Sequence, residues 1–192
     1  NDNPIIDVAT KNVYHGGNFH GDYVALEMDK LKIAITKMSM LAERQLNYLM
    51  NHNINNKLRP FANMGRLGLN FGMQGVQFTA TSTTAENQTL SNPMSVHSIS
   101  CNNDNQDIVS MGTNAAQITS RVIDNSFQVL AIELMTLIQA IDYLDFKDKM
   151  SPKSREIFDN LRIVVPPFKK DTTKYNEVRD MTNYVRQTRI II

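Results

Sequence analysis

Three side-chain amides, Asn102, Asn105 and Gln106, fall within a run of six polar residues, Asn102 to Asp107, that stops abruptly at Ile108. Each amide donates and accepts hydrogen bonds without ionising. An apolar stripe at helical spacing follows at once, and a helix N-terminus favours negative charge. Neutral donors beside such an end suit a zwitterionic or carboxylate-bearing small molecule. The alternative for the same residues is a polar loop with no ligand.

Other combinations carry less chemistry. Cys101 as nucleophile with His97 as base needs an activating environment that nothing local supplies. His15, His20, His52 and His97 have no strong metal spacing, so no metal site is expected. The glycines at 65, 68, 72 and 75 lack the Gly-Lys-Ser/Thr ending of a phosphate loop and read as a structural turn entering a helix.

The amides need a scaffold, and the spacing predicts long helices. From Ile108 to Leu144 there is no proline, and Ile108, Met111, Ala115, Ile118 and Val122, then Leu130, Leu134, Leu137, Ile141 and Leu144, form a stripe. This helix would be roughly 55 Å long, with Asp107 as its N-cap or first-turn acid. A second long helix starts at Asp22 and runs to about Met50, with Val24, Met28, Leu31, Ile35, Met38 and Ala42 as its packing seam. Further helices are expected over Phe78–Leu90, from Pro152 behind an N-cap at Ser151 to about Leu161, and from Thr172 or Thr173 to near Ile190. Ile5-Ile6 and Val13-Tyr14 suit a minor hairpin. The fold class is all-α, with long antiparallel helices in a bundle. Val109, Ile123, Val129, Ile132 and Ile138 lie off the main stripe of the longest helix, and helices apolar on several faces need surrounding partners.

The 192 residues suit one domain, and a net charge of +1 argues against a dedicated nucleic-acid binder. A single cysteine suits a reducing, cytoplasmic compartment. No apolar run is long enough to span a bilayer.

Four blocks then occur in order: Asn1-Asp-Asn-Pro4, Gly16-Gly-Asn-Phe-His-Gly21, Ser82 to Asn87 with Glu86, and Asn105-Gln-Asp-Ile-Val-Ser-Met-Gly112. In content, order and spacing they resemble the aromatic amino acid ammonia-lyases, a family that includes histidine, phenylalanine and tyrosine lyases and the related aminomutases. The resemblance covers essentially the whole chain.

It implies an all-α homotetramer with active sites shared between subunits, and an electrophilic methylidene-imidazolone (MIO) made from an Ala-Ser-Gly tripeptide. By position it implies catalytic roles for Asn3, Phe19 and Gln106, with Asn102 and Asn105 on the substrate-binding side. No Ala-Ser-Gly occurs in these residues, nor do the family's catalytic tyrosine loop and carboxylate-clamping arginine motif. The chain is therefore expected to be a C-terminal portion, inactive without the N-terminal portion of the same enzyme. Histidine lyases usually carry glutamate where this chain has Gln106, so tyrosine or phenylalanine is the expected substrate. Histidine lyase, an aminomutase and a non-catalytic helical oligomerisation module are the alternatives.

Overall fold

A computed structural model of the chain describes residues 3–17 and 19–188. Asn1 and Asp2 of the first block, Asn18 of the second and the expected last-helix end near Ile190 lie outside the described residues. Strands β1 (Ile5–Asp7) and β2 (Asn12–Tyr14) pair antiparallel, Ile6 opposite Val13, as the predicted hairpin. Helices follow: α1 (Asp22–Met50), α2 (His52–Asn55), α3 (Gln74–Leu90), α4 (Gly112–Tyr143), α5 (Pro152–Val164) and α6 (Tyr175–Gln187). The chain divides into two compact units, one of residues 1–34 with 91–121 and one of 35–90 with 122–192.

Two helix starts differ from expectation. Residues 108–111 are not helical, so Asp107 is not an N-cap; its carboxylate accepts instead from the Ile108 N–H. The segment is held out of the helix because Val109 N donates to Ser98 Oγ and the Ile108 carbonyl is bonded to His20. The first turn of α4 closes on Met111, whose carbonyl accepts from Ala115 N at 2.8 Å. Helix α3 begins four residues before Phe78, behind a turn at Phe71 and Gly72 whose N–H groups donate to the Asp171 carboxylate. A Cβ at Gly72 would sit 2.8 Å from the Phe61 carbonyl, so this turn requires glycine. Helix α6 opens at Tyr175, two to three residues after the expected threonines.

The packing seam of α1 also differs. Ala42 of the predicted seam is buried, but the main buried stripe is Ala25, Asp29, Lys32, Thr36, Ser39, Glu43, Leu46 and Met50, alternating steps of four and three. They lie one residue on from the predicted apolar seam, of which Val24 is 53% and Met38 58% exposed. The buried stripe is polar for most of its length because it meets polar partners. In the second unit Asn87 of α3, fully buried, donates to Ser39 Oγ and Ser126 Oγ, and its carbonyl accepts from Thr36 Oγ1. Helix α4 buries Ala115 and Val122 of the expected stripe and packs Leu134 and Ile141 on the core, but it also buries Val129, Ile132 and Ile138 beside that stripe and leaves Leu137 exposed.

Within the first unit α1 and α4 run in the same direction, as Gly112 against Gly21 and Thr119 bonded to the Met28 carbonyl require. The antiparallel packing belongs to α3, which pairs Gln77 with Asn47 and Asn87 with Ser39 in the second unit. There the apolar core gathers Leu46, Ile132, Met135, Phe158 and Met181 from four helices and Met73 from the turn before α3. Ser151 caps α5 by accepting from Ser154 N, with Pro152 in the first turn, as predicted.

Candidate functional site

The amide run folds as a tight hairpin. Cys101 and Gln106 form an antiparallel bridge, each N–H donating to the other's carbonyl, and Asn105 N donates to the Asn102 carbonyl at 3.1 Å. Asn102, Asn103 and Asp104 all have φ between 52° and 61°. Left-handed backbone at both central residues is the mark of a hairpin turn matched to strand twist. Asn and Asp tolerate it better than other residues with a Cβ, so this polar composition serves the turn itself. Ser100 Oγ adds a bond to the Asp104 carboxylate at 2.7 Å.

The turn leaves the amides open. Among the described residues the side chains of Asn102 and Asn105 make no hydrogen bond within the chain, and both residues are exposed. Gln106 uses only Oε1, 3.8 Å from the Cys101 thiol, so its two N–H donors are also open. That thiol contact is with Gln106; none joins Cys101 to His97. No group of three His, Cys, Asp or Glu side chains among the described residues is placed to hold a metal ion.

Asn3 and Phe19 come from the other end of the first unit. Asn3 Oδ1 accepts from Gly16 N at 2.7 Å, which ties the residue before the hairpin to the glycine-rich segment. In that segment His20 N closes a turn on the Gly17 carbonyl, and the Phe19 ring stands edge-on to His20 at 6.1 Å, 56% exposed. His20 then reaches the carbonyl of Ile108, two residues beyond Gln106. Hydrogen bonds therefore link the blocks around Asn3, Phe19 and Gln106, which are far apart in sequence. Glu86 belongs to the second unit, where it is half-buried and accepts from Asn125 Nδ2 at 3.1 Å.

Sequence reasoning missed His20 and Ser110, which hold the segments together. The only signal was their membership of the second and fourth blocks; nothing in the spacing shows that they meet.

The family model for aromatic amino acid lyases matches residues 1–163. The chain belongs to that family. It is 38% identical over 191 residues to a tyrosine ammonia-lyase of Cupriavidus metallidurans, covering 100% of this chain and 36% of that protein. It is 37% identical over 190 residues to histidine ammonia-lyase 1 of Fusobacterium nucleatum, covering 99% and 37%. A MIO-dependent tyrosine 2,3-aminomutase of Streptomyces globisporus is 40% identical over 166 residues, 86% of this chain and 30% of its own length. Among solved structures, the phenylalanine aminomutase of Pantoea agglomerans superposes with a TM-score of 0.91 at 37% identity, over 96% of this chain and 36% of that one. The chain thus spans about a third of the length of the family members it matches. Family members named for tyrosine, histidine and phenylalanine chemistry stand at nearly equal identity, so identity does not choose a substrate.

A MIO group needs the Ala-Ser-Gly tripeptide, which these residues lack. What they offer fits the surroundings of such a group: neutral amides with open N–H donors and an uncovered aromatic ring. No helix among the described residues is long and apolar enough to cross a membrane.

Proposed function

We propose that this chain supplies the amide side of the active site in an ammonia-lyase acting on tyrosine or phenylalanine. The observation that carries the reading is the left-handed hairpin that presents Asn102, Asn105 and Gln106 with open, uncharged donors. A substrate carboxylate accepts hydrogen bonds from such uncharged donors. Phe19 would offer its ring to the aromatic side chain, and Asn3 would stand near the prosthetic group and the substrate carboxylate. When present, the MIO group supplies the electrophile that activates the amino group for departure. The overall change breaks the C–N bond and a β C–H bond, forms the α,β double bond and releases ammonia.

The tripeptide must come from a MIO-bearing portion of the same enzyme, and without it this chain is inactive. We place the enzyme in the cytoplasm as a homotetramer. The exposed apolar positions Val24, Leu31, Met38 and Leu41 on α1 support that assembly, since they form a stripe on one helix that needs covering. An aminomutase would use the same amides, and only its product separates it from a lyase.

The test is ultraviolet detection of product with tyrosine, phenylalanine and histidine offered separately to the full enzyme. Coumarate or cinnamate is expected. Urocanate alone would transfer the reading to histidine, and no product from any of the three would overturn it in favour of a non-catalytic helical module.

A further inference from the structure

We infer that His20 is a positioning residue, a side-chain latch that sets the Phe19 segment against the segment carrying Gln106; the inference rests on the lyase reading above. The His20 ring lies between two acceptors. Nε2 is 3.1 Å from the Ile108 carbonyl, 88 residues away, and Nδ1 is 3.1 Å from the Asp22 carboxylate. A ring with one proton donates to one of them, and a ring with two donates to both. Asp22 is the first residue of α1, so the ring is braced on the end of a long helix. The imidazole is 23% exposed, well placed to hold a fixed rotamer.

The backbone around the latch is in close apposition. Gly21 N donates to Ser110 Oγ at 3.1 Å, and a Cβ on Gly21 would come within 2.8 Å of that oxygen. A Cβ on Gly112 would stand 3.0 Å from the Gly21 carbonyl. Residues 19–21 are thus seated on residues 108–112, with Phe19 one residue from the latch and Gln106 two residues from its other end. His20 makes no hydrogen bond to an amide donor, and apart from its T-shaped contact with Phe19 its effect passes through the backbone it holds. Misplacement by about 1 Å can cost on the order of a hundredfold in rate.

The test uses the full enzyme and three variants, with turnover and hydrogen exchange of the 106–110 amides as separate readouts. His20→Ala is expected to lower kcat by about thirtyfold or more, with a smaller change in KM, and to speed exchange in 106–110. His20→Gln keeps an N–H for the Ile108 carbonyl and is expected to recover both readouts to within about fivefold. Asp22→Asn, which loosens the brace and leaves the ring, should fall between and carries the test if His20→Ala does not fold. Wild-type kcat and exchange in His20→Ala, or a His20→Gln as impaired as the alanine in both, would overturn the inference. If the wild-type enzyme turns over no aromatic amino acid, the lyase reading fails while the exchange data still decide the latch.

Discussion

Lys32 Nζ donates to Asp29 Oδ1 at 2.7 Å, one turn apart on α1, with both side chains almost wholly buried. The remaining capacity of each is used on the segment that leaves α3. Lys32 also bonds the Asn92 carbonyl at 2.8 Å, and Asp29 Oδ2 accepts from Ser95 N at 2.8 Å. The pair therefore clamps the chain entering the amide hairpin onto α1. Burial alone would raise the Asp29 carboxyl, but the bonds from Lys32, Ser95 and Met94 outweigh it and hold the group at about 2.

Asp29→Asn leaves the Lys32 ammonium buried without a counter-charge, and a loss of about 3–5 kcal/mol is expected. The carboxylate's contribution in the wild type is present above its unfolded value near 3.8 and is lost as pH falls through about 2. Urea midpoints from pH 7 to pH 2 check both parts: the variant should be weaker at neutral pH and flatter in acid.

Asn87→Ala tests the polar seam of the second unit. The Asn87 amide serves Ser39 and Ser126, and its Oδ1 accepts from Asn125 at 3.0 Å. The two serine hydroxyls keep bonds to carbonyls of their own helices, Thr36 and Val122. The cost is therefore mainly the emptied volume and the lost amide bonds, about 2–3 kcal/mol. Thermal unfolding of the variant measures it, and a change under 0.5 kcal/mol would show that water replaces the amide without loss.

The class, the α1 limits, the Ser151 cap and the small hairpin were legible because each is written locally, in periodicity or in capping and turn residues. The faces were not. Each long helix buries only part of its apolar stripe, such as Ala42 on α1 and Ala115 and Val122 on α4, and the α1 stripe from Asp29 to Glu43 is polar because Asn87 and Asn92 happen to face it. Periodicity reports the stripe with the most apolar residues, not the one that finds a partner within the chain. The start of α4 failed for a related reason. Asp107 is a good cap by type, but His20 and Ser98 hold residues 108 and 109 out of the helix from a distance. The amides themselves were found as a cluster, while their left-handed turn and its latch depend on contacts no local pattern carries.

Glu133 gives a pH dependence of opposite sign. It lies in an apolar groove of about 290 Å³ lined by Ile35, Met38, Phe127 and Leu130, and burial pushes its carboxyl from 4.5 up to about 7. The native state then binds the proton more tightly than the unfolded chain, so stability is greatest below 4.5 and declines as pH rises through about 7. A displacement of that size corresponds to about 3 kcal/mol, reduced by the half-buried position to about 1–2 kcal/mol. Glu133→Gln should match the wild type at pH 4 and exceed it at pH 8, as melting temperatures at the two values would record.

Gln106→Glu in the full enzyme addresses the choice of substrate. The glutamine presents two N–H donors beside Asn102 and Asn105, and its oxygen is within reach of the Cys101 thiol. Glutamate at the same place only accepts, and its charge repels a substrate carboxylate while suiting an imidazole or ammonium through a charge-assisted bond. Values of kcat/KM for tyrosine and phenylalanine are expected to fall by about ten- to a hundredfold, equivalent to about 1.4–2.7 kcal/mol, with histidine gaining relative to both. The hairpin should survive, because its bridge to Cys101 is made by backbone atoms that the substitution leaves in place. Unchanged relative rates in a folded variant would take the discriminating role from Gln106 and leave Asn102 and Asn105 as the amides that meet the substrate.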